Sequence, residues 1–365
     1  EFGPLWSALD ARKSHTYAAA SIVAGQDVGN EPINVVGPSN TAAIVGSART
    51  ARTEDIEKAC TFASSAQPAW NAVGGARRAQ ILRRVGDLIE ADRDIFTDIL
   101  VREAGKTLGD CIAEIREAVD FCRYYANLAE RQFDAPIVLP GPTGEQNELY
   151  LSGRGTFLCI APWNFPLAIF AGQVAAALAA GNTVIAKPAE QTPIAAWHAV
   201  KLFHSAGVPS DVLHLLLGDG ARVGAALVAD ERIGGVAFTG STATAKLINR
   251  TLAARDGAIV PLIAETGGQN VMLADSTALP EQVADDAIMS AFGSAGQRCS
   301  ALRVLFVQDC VADKVINMIT GALKERTIGD PALITTDIGP IIDKAACVRR
   351  AGEDRDGSAG RDLLD

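Results

Sequence analysis

The sequence predicts an α/β protein in which helices cover both faces of a parallel β-sheet. Between residues 155 and 254, short apolar runs typical of strands alternate with runs that have helical spacing. This alternation is typical of right-handed βαβ units, whose sheets bind ligands at the carboxyl ends of the strands. Residues 53–132 show mainly helical spacing of apolar side chains. The chain has 365 residues, which is enough for two or more substructures.

The composition limits the classes of function. A net charge of −10, with no long basic block, argues against nucleic-acid binding. The seven cysteines include no C-x-x-C pair, so we expect no disulfide framework and no metal site, and we predict a reducing, cytoplasmic location. The longest apolar run, Leu167–Gly181, contains Gln173 and is too short to span a bilayer. We therefore expect no membrane span, and no signal-peptide pattern opens the chain.

The first part of the chain divides into an amino-terminal segment and the start of the sheet domain. We assign residues 1–34 to an N-terminal segment or linker and residues 35–138 to the first part of a discontinuous domain. Pro140, Gly141 and other turn residues separate two extended runs within residues 139–155. This pattern predicts a projecting β-hairpin, a common contact in oligomers.

The second part completes the sheet and adds a smaller α/β unit. Residues 156–264 contain the alternating strands and helices and complete the sheet domain. We expect residues 265–343 to form a partial second domain, with a strand at "RVLFVQ" and a helix near "ADKVINMITGALKE". Of the 22 residues in 344–365, ten are charged and none is aromatic, so we expect weak order in this tail.

Two glycine-containing stretches are candidates for phosphate binding. In "GDGARVG", Gly218–Gly224, the third glycine falls one residue late for a dinucleotide fingerprint, which favours a simple turn into a helix. In "FTGSTATAK", Gly240 and Ser241 join an apolar strand to a helix. The N–H groups at that helix start could hold a pyrophosphate, or Ser241 could only cap the helix. The residues alone leave both interpretations open.

Two other strand ends carry polar side chains. Lys187 ends an apolar strand, and with Glu190 it could bind ribose hydroxyls; on this segment alone a solvated lysine is the simpler interpretation. Asn164 lies between two prolines in "CIAPWNFP", where the backbone is rigid. Its amide could donate a hydrogen bond to an oxyanion, or it could serve the turn itself.

Cys299 and Glu265 are candidates for nucleophile and base. For an isolated cysteine, burial as a small apolar side chain is the default. However, "AGQRCSA" places Cys299 where we expect a loop to enter a helix, and a helix start or the adjacent Arg298 would favour the thiolate. Glu265 is followed by two glycines that allow a ligand or backbone to come close.

Taken together, these motifs resemble the aldehyde dehydrogenase superfamily. "APWNFP", "KPAEQTP", "FTGST", "ETGGQN" and "GQRCSA" match its motifs in order over about residues 35–343. "AFGSAGQRCSALRVL" and "TDIGPIID" are most similar to the L-glutamate γ-semialdehyde dehydrogenase branch, and "GSTATAKLINRTLAAR" to that module of bifunctional proline utilization A proteins. The resemblance implies a Rossmann-type NAD-binding domain, a partial α/β catalytic domain and a projecting β-hairpin.

The resemblance also implies roles for individual residues. Cys299 would attack the aldehyde, Asn164 and the Cys299 backbone N–H would hold the oxyanion, and Glu265 would activate water to hydrolyse the thioester. Phe165 and Ser300 would line the aldehyde pocket. The residues implied in cofactor binding are Lys187, Glu190, Gly220, Gly240, Ser241 and Trp163.

The expected reaction is NAD-dependent oxidation of L-glutamate γ-semialdehyde, which forms from pyrroline-5-carboxylate, to L-glutamate in proline catabolism. The alternatives are oxidation of another small semialdehyde, or a catalytically impaired fragment that serves only as a scaffold. NAD is expected over NADP because the Glu190 carboxylate would repel a 2′-phosphate. The resemblance further implies a proline dehydrogenase domain upstream and a homo-oligomer. It stops near Asp343, so we expect a C-terminally truncated catalytic domain.

Overall fold

A computed structural model describes residues 9–348 of the chain. Most of the predicted charged tail, from residue 349 onward, lies outside the described residues. The strands are β1 Tyr17–Val23, β2 Gln26–Val28, β3 Ile33–Val36, β4 Ile44–Arg49, β5 Ile137–Leu139, β6 Asn147–Leu149, β7 Thr156–Ile160, β8 Thr183–Lys187, β9 Leu213–Leu215, β10 Ile233–Gly240, β11 Leu262–Thr266, β12 Asn270–Ala274 and β13 Leu302–Val307. The α-helices are α1 Thr53–Ala72, α2 Gly75–Ala91, α3 Arg93–Ala104, α4 Leu108–Phe133, α5 Ala168–Ala179, α6 Pro193–Ala206, α7 Ala225–Ala229, α8 Thr242–Ala253, α9 Pro280–Phe292 and α10 Asp309–Lys324.

The main sheet follows the order β11-β10-β7-β8-β9-β1-β4-β3, with β2 paired to β1. The strands from β11 to β9 are all parallel to one another. In the register, Ile160 stands opposite Lys187 and Thr239 opposite Glu265, so these strands end at one edge. This confirms the predicted parallel α/β sheet, and it gathers the segments that follow β7, β8, β10 and β11 on one side of the molecule.

The amino-terminal segment belongs to this sheet. Strand β1 lies parallel to β4 and antiparallel to β9, so it joins two parts of the chain within one sheet. Six of its seven residues are buried, which explains why the strand is a nearly continuous apolar run. The structure therefore differs here from a linker: residues 17–34 contribute β1, β2 and the start of β3.

Two buried glutamate side chains bind the starts of α5 and α6, the helices that follow β7 and β8. Glu103 accepts the backbone N–H groups of Ile194 and Ala195 at the start of α6, at 2.7 and 3.0 Å. Glu114 accepts the N–H groups of Leu167 and Ala168 in the same way at the start of α5, at 2.8 and 3.2 Å. Because the first N–H groups of a helix have no partner within the helix, each of these glutamate side chains satisfies two of them and orders the turn that precedes its helix.

The hairpin and the second substructure are small. Strands β5 and β6 pair antiparallel, with Ile137 opposite Leu149, so the hairpin begins slightly before the predicted 139–155. Its role in oligomerisation stays a prediction. Strands β12 and β13 form a separate parallel pair, against which α9 and α10 pack. Among residues 9–348, no helix is both long and apolar enough to cross a membrane.

Candidate active site

Cys299 lies in an exposed turn between a tight loop, Gly293–Gly296, and strand β13. The thiol is therefore not the buried apolar group that an isolated cysteine usually is. The predicted loop-to-helix entry is wrong, because the segment after Cys299 pairs with β12 as a strand. A helix start therefore does not favour the thiolate here.

The Arg298 side chain anchors the turn before Cys299. Its Nη2 lies 2.6 Å from Asp110 Oδ1, and its Nε donates to Ser294 Oγ at 3.2 Å. Ser294 Oγ in turn donates to Asp110 Oδ2 at 3.0 Å. Ser294 and Ala295 both have left-handed backbone conformations, with φ of 52° and 54°. Such residues cost about 1–2 kcal/mol each, so this turn persists because the surrounding contacts hold it.

Asn164 reaches the same turn from the end of β7. Its Nδ2 donates to the carbonyl oxygen of Gln297 at 2.7 Å, two residues before Cys299. The amide nitrogen carries a second N–H, and within the described residues the buried Oδ1 makes no hydrogen bond. The Gln297 side chain continues the connection, because its Oε1 accepts the N–H of Ile342 at 2.9 Å. One amide thus joins the strand-end loop to the turn that bears the thiol.

Glu265 is exposed on edge strand β11, directly opposite Thr239 of β10. Five residues later, the Asn270 side chain donates to the carbonyl oxygens of Cys299 and Ala301, at 2.8 and 2.9 Å. The segment that begins with Glu265 is therefore tied to the turn of Cys299. In the sequence, only its place at the end of "ETGGQN" marks Asn270.

Lys187 ends β8 and is only 3% exposed. Its Nζ donates to the carbonyl oxygen of Pro188 at 3.1 Å. Burial lowers the pKa of Lys187, and the nearby Glu190 and Asp219 carboxylates raise it in part. The interpretation of Lys187 as a solvated lysine is therefore wrong, since a buried ammonium with spare donors is suited to a polar ligand. Glu190 is exposed at the same sheet edge.

The other cofactor candidates also follow strands at this edge. Gly220 begins a π-helical turn, Gly220–Gly224, and a Cβ added to it would meet nothing within 4 Å. Gly240 ends β10, where an added Cβ would lie 2.6 Å from Phe238 Cζ. Ser241 caps α8 by accepting the N–H of Thr244 at 3.1 Å, so the capping interpretation holds for its side chain. Trp163 is half-buried after β7.

Two cations lie near the Phe165 ring, beside the turn that bears Cys299. Lys106 Nζ is 4.3 Å from the ring centroid, and the Arg298 guanidinium carbon is 5.7 Å from it. Lys106 Nζ and Glu114 Oε2 lie 2.5 Å apart as an ion pair, without hydrogen-bond alignment. The aromatic face is therefore held in place. Ser300 is exposed next to Cys299.

Residues 23–356 match the sequence model of the aldehyde dehydrogenase family. The chain belongs to this family. The match begins before residue 35 and ends after residue 343, so the resemblance extends further at both ends than the motifs indicated. In the described part of the chain, no group of three or more His, Cys, Asp and Glu side chains could hold a metal ion.

The curated relatives include bifunctional PutA proteins and 1-pyrroline-5-carboxylate dehydrogenases. The chain is 51% identical over 315 residues to the bifunctional protein PutA of Klebsiella aerogenes, covering 86% of this chain and 23% of PutA. It is 37% identical over 330 residues to the 1-pyrroline-5-carboxylate dehydrogenase of Geobacillus thermodenitrificans, covering 89% and 64%. The chain thus spans about a quarter of the length of the PutA relatives and less than two thirds of the length of the 1-pyrroline-5-carboxylate dehydrogenase relative.

The solved structures of aldehyde dehydrogenase relatives agree with this fold. PutA from Bdellovibrio bacteriovorus, inactivated by N-propargylglycine, matches with a TM-score of 0.93 and 34% identity, covering 98% of this chain and 38% of PutA. The Thermus 1-pyrroline-5-carboxylate dehydrogenase with bound NAD matches with a TM-score of 0.88 and 32% identity, covering 93% and 67%. These likenesses confirm the predicted family fold.

Proposed function

We propose that this chain performs the NAD-dependent oxidation of L-glutamate γ-semialdehyde to L-glutamate. The observation that carries the proposal is the 2.7 Å hydrogen bond from Asn164 to the Gln297 carbonyl. It brings an amide donor from the ligand edge of the sheet to the turn that holds an exposed thiol. The names of the PutA and 1-pyrroline-5-carboxylate dehydrogenase relatives support this substrate.

Cys299 forms the covalent bond in this proposal. Its thiolate sulfur attacks the aldehyde carbon, and the carbonyl oxygen becomes an oxyanion. The free N–H of Asn164 and the backbone N–H of Cys299 are the donors for this oxyanion. Because the Gln297 carbonyl holds the other Asn164 N–H, the amide is oriented before the aldehyde arrives, and such preorganised donors stabilise developing charge strongly.

Glu265 serves as the general base for hydrolysis. Its exposed carboxylate takes a proton from water, and the resulting hydroxide attacks the thioester carbon on Cys299. The carbon–sulfur bond then breaks, which releases the carboxylate product and returns the thiolate. The two glycines after Glu265 leave space around the carboxylate for this water.

The residues at the sheet edge fit NAD. Open space at Gly220 and the buried ammonium of Lys187 are suited to a polar, extended cofactor, and the helix start at Ser241 provides backbone N–H donors. Lys187 and Glu190 would bind the ribose, Gly240 and Ser241 the pyrophosphate, and Gly220 and Trp163 would line its edge. When bound, NAD supplies the hydride acceptor for the oxidation. Phe165 and Ser300 would line the aldehyde pocket.

We make two further proposals. The intact protein is bifunctional, like the PutA relatives, with a proline dehydrogenase domain in the same polypeptide. The exposed hairpin β5–β6 pairs with another copy, because its apolar side chains at Ile137, Val138 and Leu149 face solvent in this chain.

NADH formation with NAD and glutamate semialdehyde tests the proposed function. We expect turnover that Cys299→Ala abolishes, and a preference for glutamate semialdehyde over shorter and longer semialdehydes. Faster turnover of another semialdehyde would change the assigned substrate. If the chain binds NAD but forms no NADH, the alternative of a scaffold fragment is correct for this chain, and the activity then requires a longer protein.

A further inference from the structure

The Asn270 side chain holds the carbonyl groups on both sides of Ser300. Its Nδ2 lies 2.8 Å from the oxygen of Cys299 and 2.9 Å from the oxygen of Ala301. An amide nitrogen has two N–H groups, so one side chain can serve both carbonyls. The peptide groups that follow Cys299 and Ala301 are therefore fixed by the same atom.

The backbone needs this help because the ladder between β12 and β13 is irregular at this point. Asn270 is paired with Leu302, but the next residue, Val271, is paired with Val304. This shift skips one residue of β13, as a β-bulge does, and bulges near active sites redirect side chains. The Asn270 side chain supplies hydrogen bonds to the turn where the regular ladder has not yet begun.

Two further hydrogen bonds reach the stretch directly after Cys299. The N–H of Ala301 donates to the Arg298 carbonyl at 3.2 Å, and the N–H of Leu302 donates to Ser290 Oγ at 3.2 Å. Cys299 and Ser300 are both exposed, so packing does not hold them. The two hydrogen bonds of Asn270 are therefore a main restraint on the direction of the Cys299 backbone.

We propose that Asn270 is a positioning residue that sets Cys299 against its oxyanion donors. The inference rests on the proposed role of Cys299 as nucleophile. Asn270 lies five residues after Glu265, so the same link couples the strand that carries the base to the turn that carries the thiol. Asn270 acts through the backbone and does not contact the reacting atoms.

The test is acyl transfer to Cys299 from p-nitrophenyl acetate, which needs the thiolate and the oxyanion donors but no NAD. The protein used in this test carries the substitutions Cys310→Ser and Cys347→Ser, so that Cys299 is the only exposed cysteine left in the described residues. Asn270→Asp keeps the size of the side chain but removes both N–H donors. We expect this variant and Asn270→Ala to form p-nitrophenolate on the order of tenfold more slowly, because small misplacements of reacting groups are costly.

The pH profile separates a donor from a side chain that only fills space. In Asn270→Asp, protonation of the introduced carboxylate would restore one O–H donor, so the rate of this variant relative to the parent protein rises as pH falls, whereas that of Asn270→Ala does not. Alkylation by iodoacetamide, which develops no oxyanion, changes less than threefold in both variants. Circular dichroism confirms that each variant is folded.

The outcomes are distinct. If Asn270→Asp acylates at the parent rate, or if alkylation slows as much as acylation, the positioning role is wrong. If the parent protein shows no rapid initial release of p-nitrophenolate, or if Cys299→Ala retains this release, then Cys299 is not the nucleophile. Both the proposed function and this inference then fail.

Discussion

Removing the Asn164 amide should slow the chemistry far more than it weakens the fold. In Asn164→Ala, one N–H bound to the Gln297 carbonyl at 2.7 Å is lost, together with the free N–H assigned to the oxyanion. The loss of one neutral hydrogen bond costs about 1 kcal/mol of unfolding free energy. The loss of one oxyanion donor costs roughly 3–4 kcal/mol of transition-state stabilisation, or about 100–1000-fold in kcat.

Gln173 offers a matched control for this variant. It is also a partly buried amide. In the part of the chain that the structure describes, its Nε2 donates to Thr239 Oγ1 at 3.0 Å, and its Oε1 makes no hydrogen bond. Gln173→Ala should therefore lose a similar unfolding free energy in urea while acylation of Cys299 stays within about threefold. The initial release of p-nitrophenolate from p-nitrophenyl acetate gives the rate of acylation, and NADH formation gives the rate of the whole reaction. If Asn164→Ala acylates within threefold of the parent, or if both variants lose activity equally, the reasoning is refuted.

Three other changes test the framework around the site. Burial raises the pKa of Glu103 to about 8, so the folded state holds this proton more tightly than the unfolded state. The unfolding free energy should therefore fall as pH rises from about 4.5 to about 8. In urea titrations, Glu103→Gln should make this dependence on pH weaker. Ala295→Gly should raise the unfolding free energy by about 0.5–1 kcal/mol, because glycine adopts the left-handed φ of 54° without strain; a loss of stability would show that no strain is stored there. Asp110→Asn should lower the unfolding free energy by roughly 1–2 kcal/mol, since it weakens the charge-assisted contact with Arg298; high salt should reduce the difference between the proteins, and an unchanged urea midpoint would contradict the assignment.

The central strands could be predicted because their signals are local. The apolar runs at residues 155–160, 183–187 and 235–239 predict three strands, because each run is bounded by glycine, proline or a polar segment. Strands β7, β8 and β10 lie within two residues of these runs. β1 could not be assigned to the sheet, because its neighbours β4 and β9 are far away in the chain.

In the candidate site, too, the local signals could be predicted and the long-range contacts could not. The order of the motifs predicted which residue types belong together, but the contact from Asn164 to Gln297 joins segments 133 residues apart. Sequence spacing cannot supply that distance. No helix directly follows Cys299, because only two residues separate it from β13, the strand that the apolar run "RVLFVQ" predicted. The contribution of Asn270 depends on a register shift between two strands, which only the three-dimensional structure reveals.

The most direct test of the central claim is mass spectrometry of the Glu265→Gln variant after mixing with NAD and glutamate semialdehyde. If Cys299 is the nucleophile and Glu265 the base, about one equivalent of NADH forms quickly and a glutamyl thioester accumulates on the peptide that contains Cys299. The parent protein should turn over without accumulating this adduct. An adduct on another residue, or equal slowing of NADH formation and thioester hydrolysis, would contradict these roles.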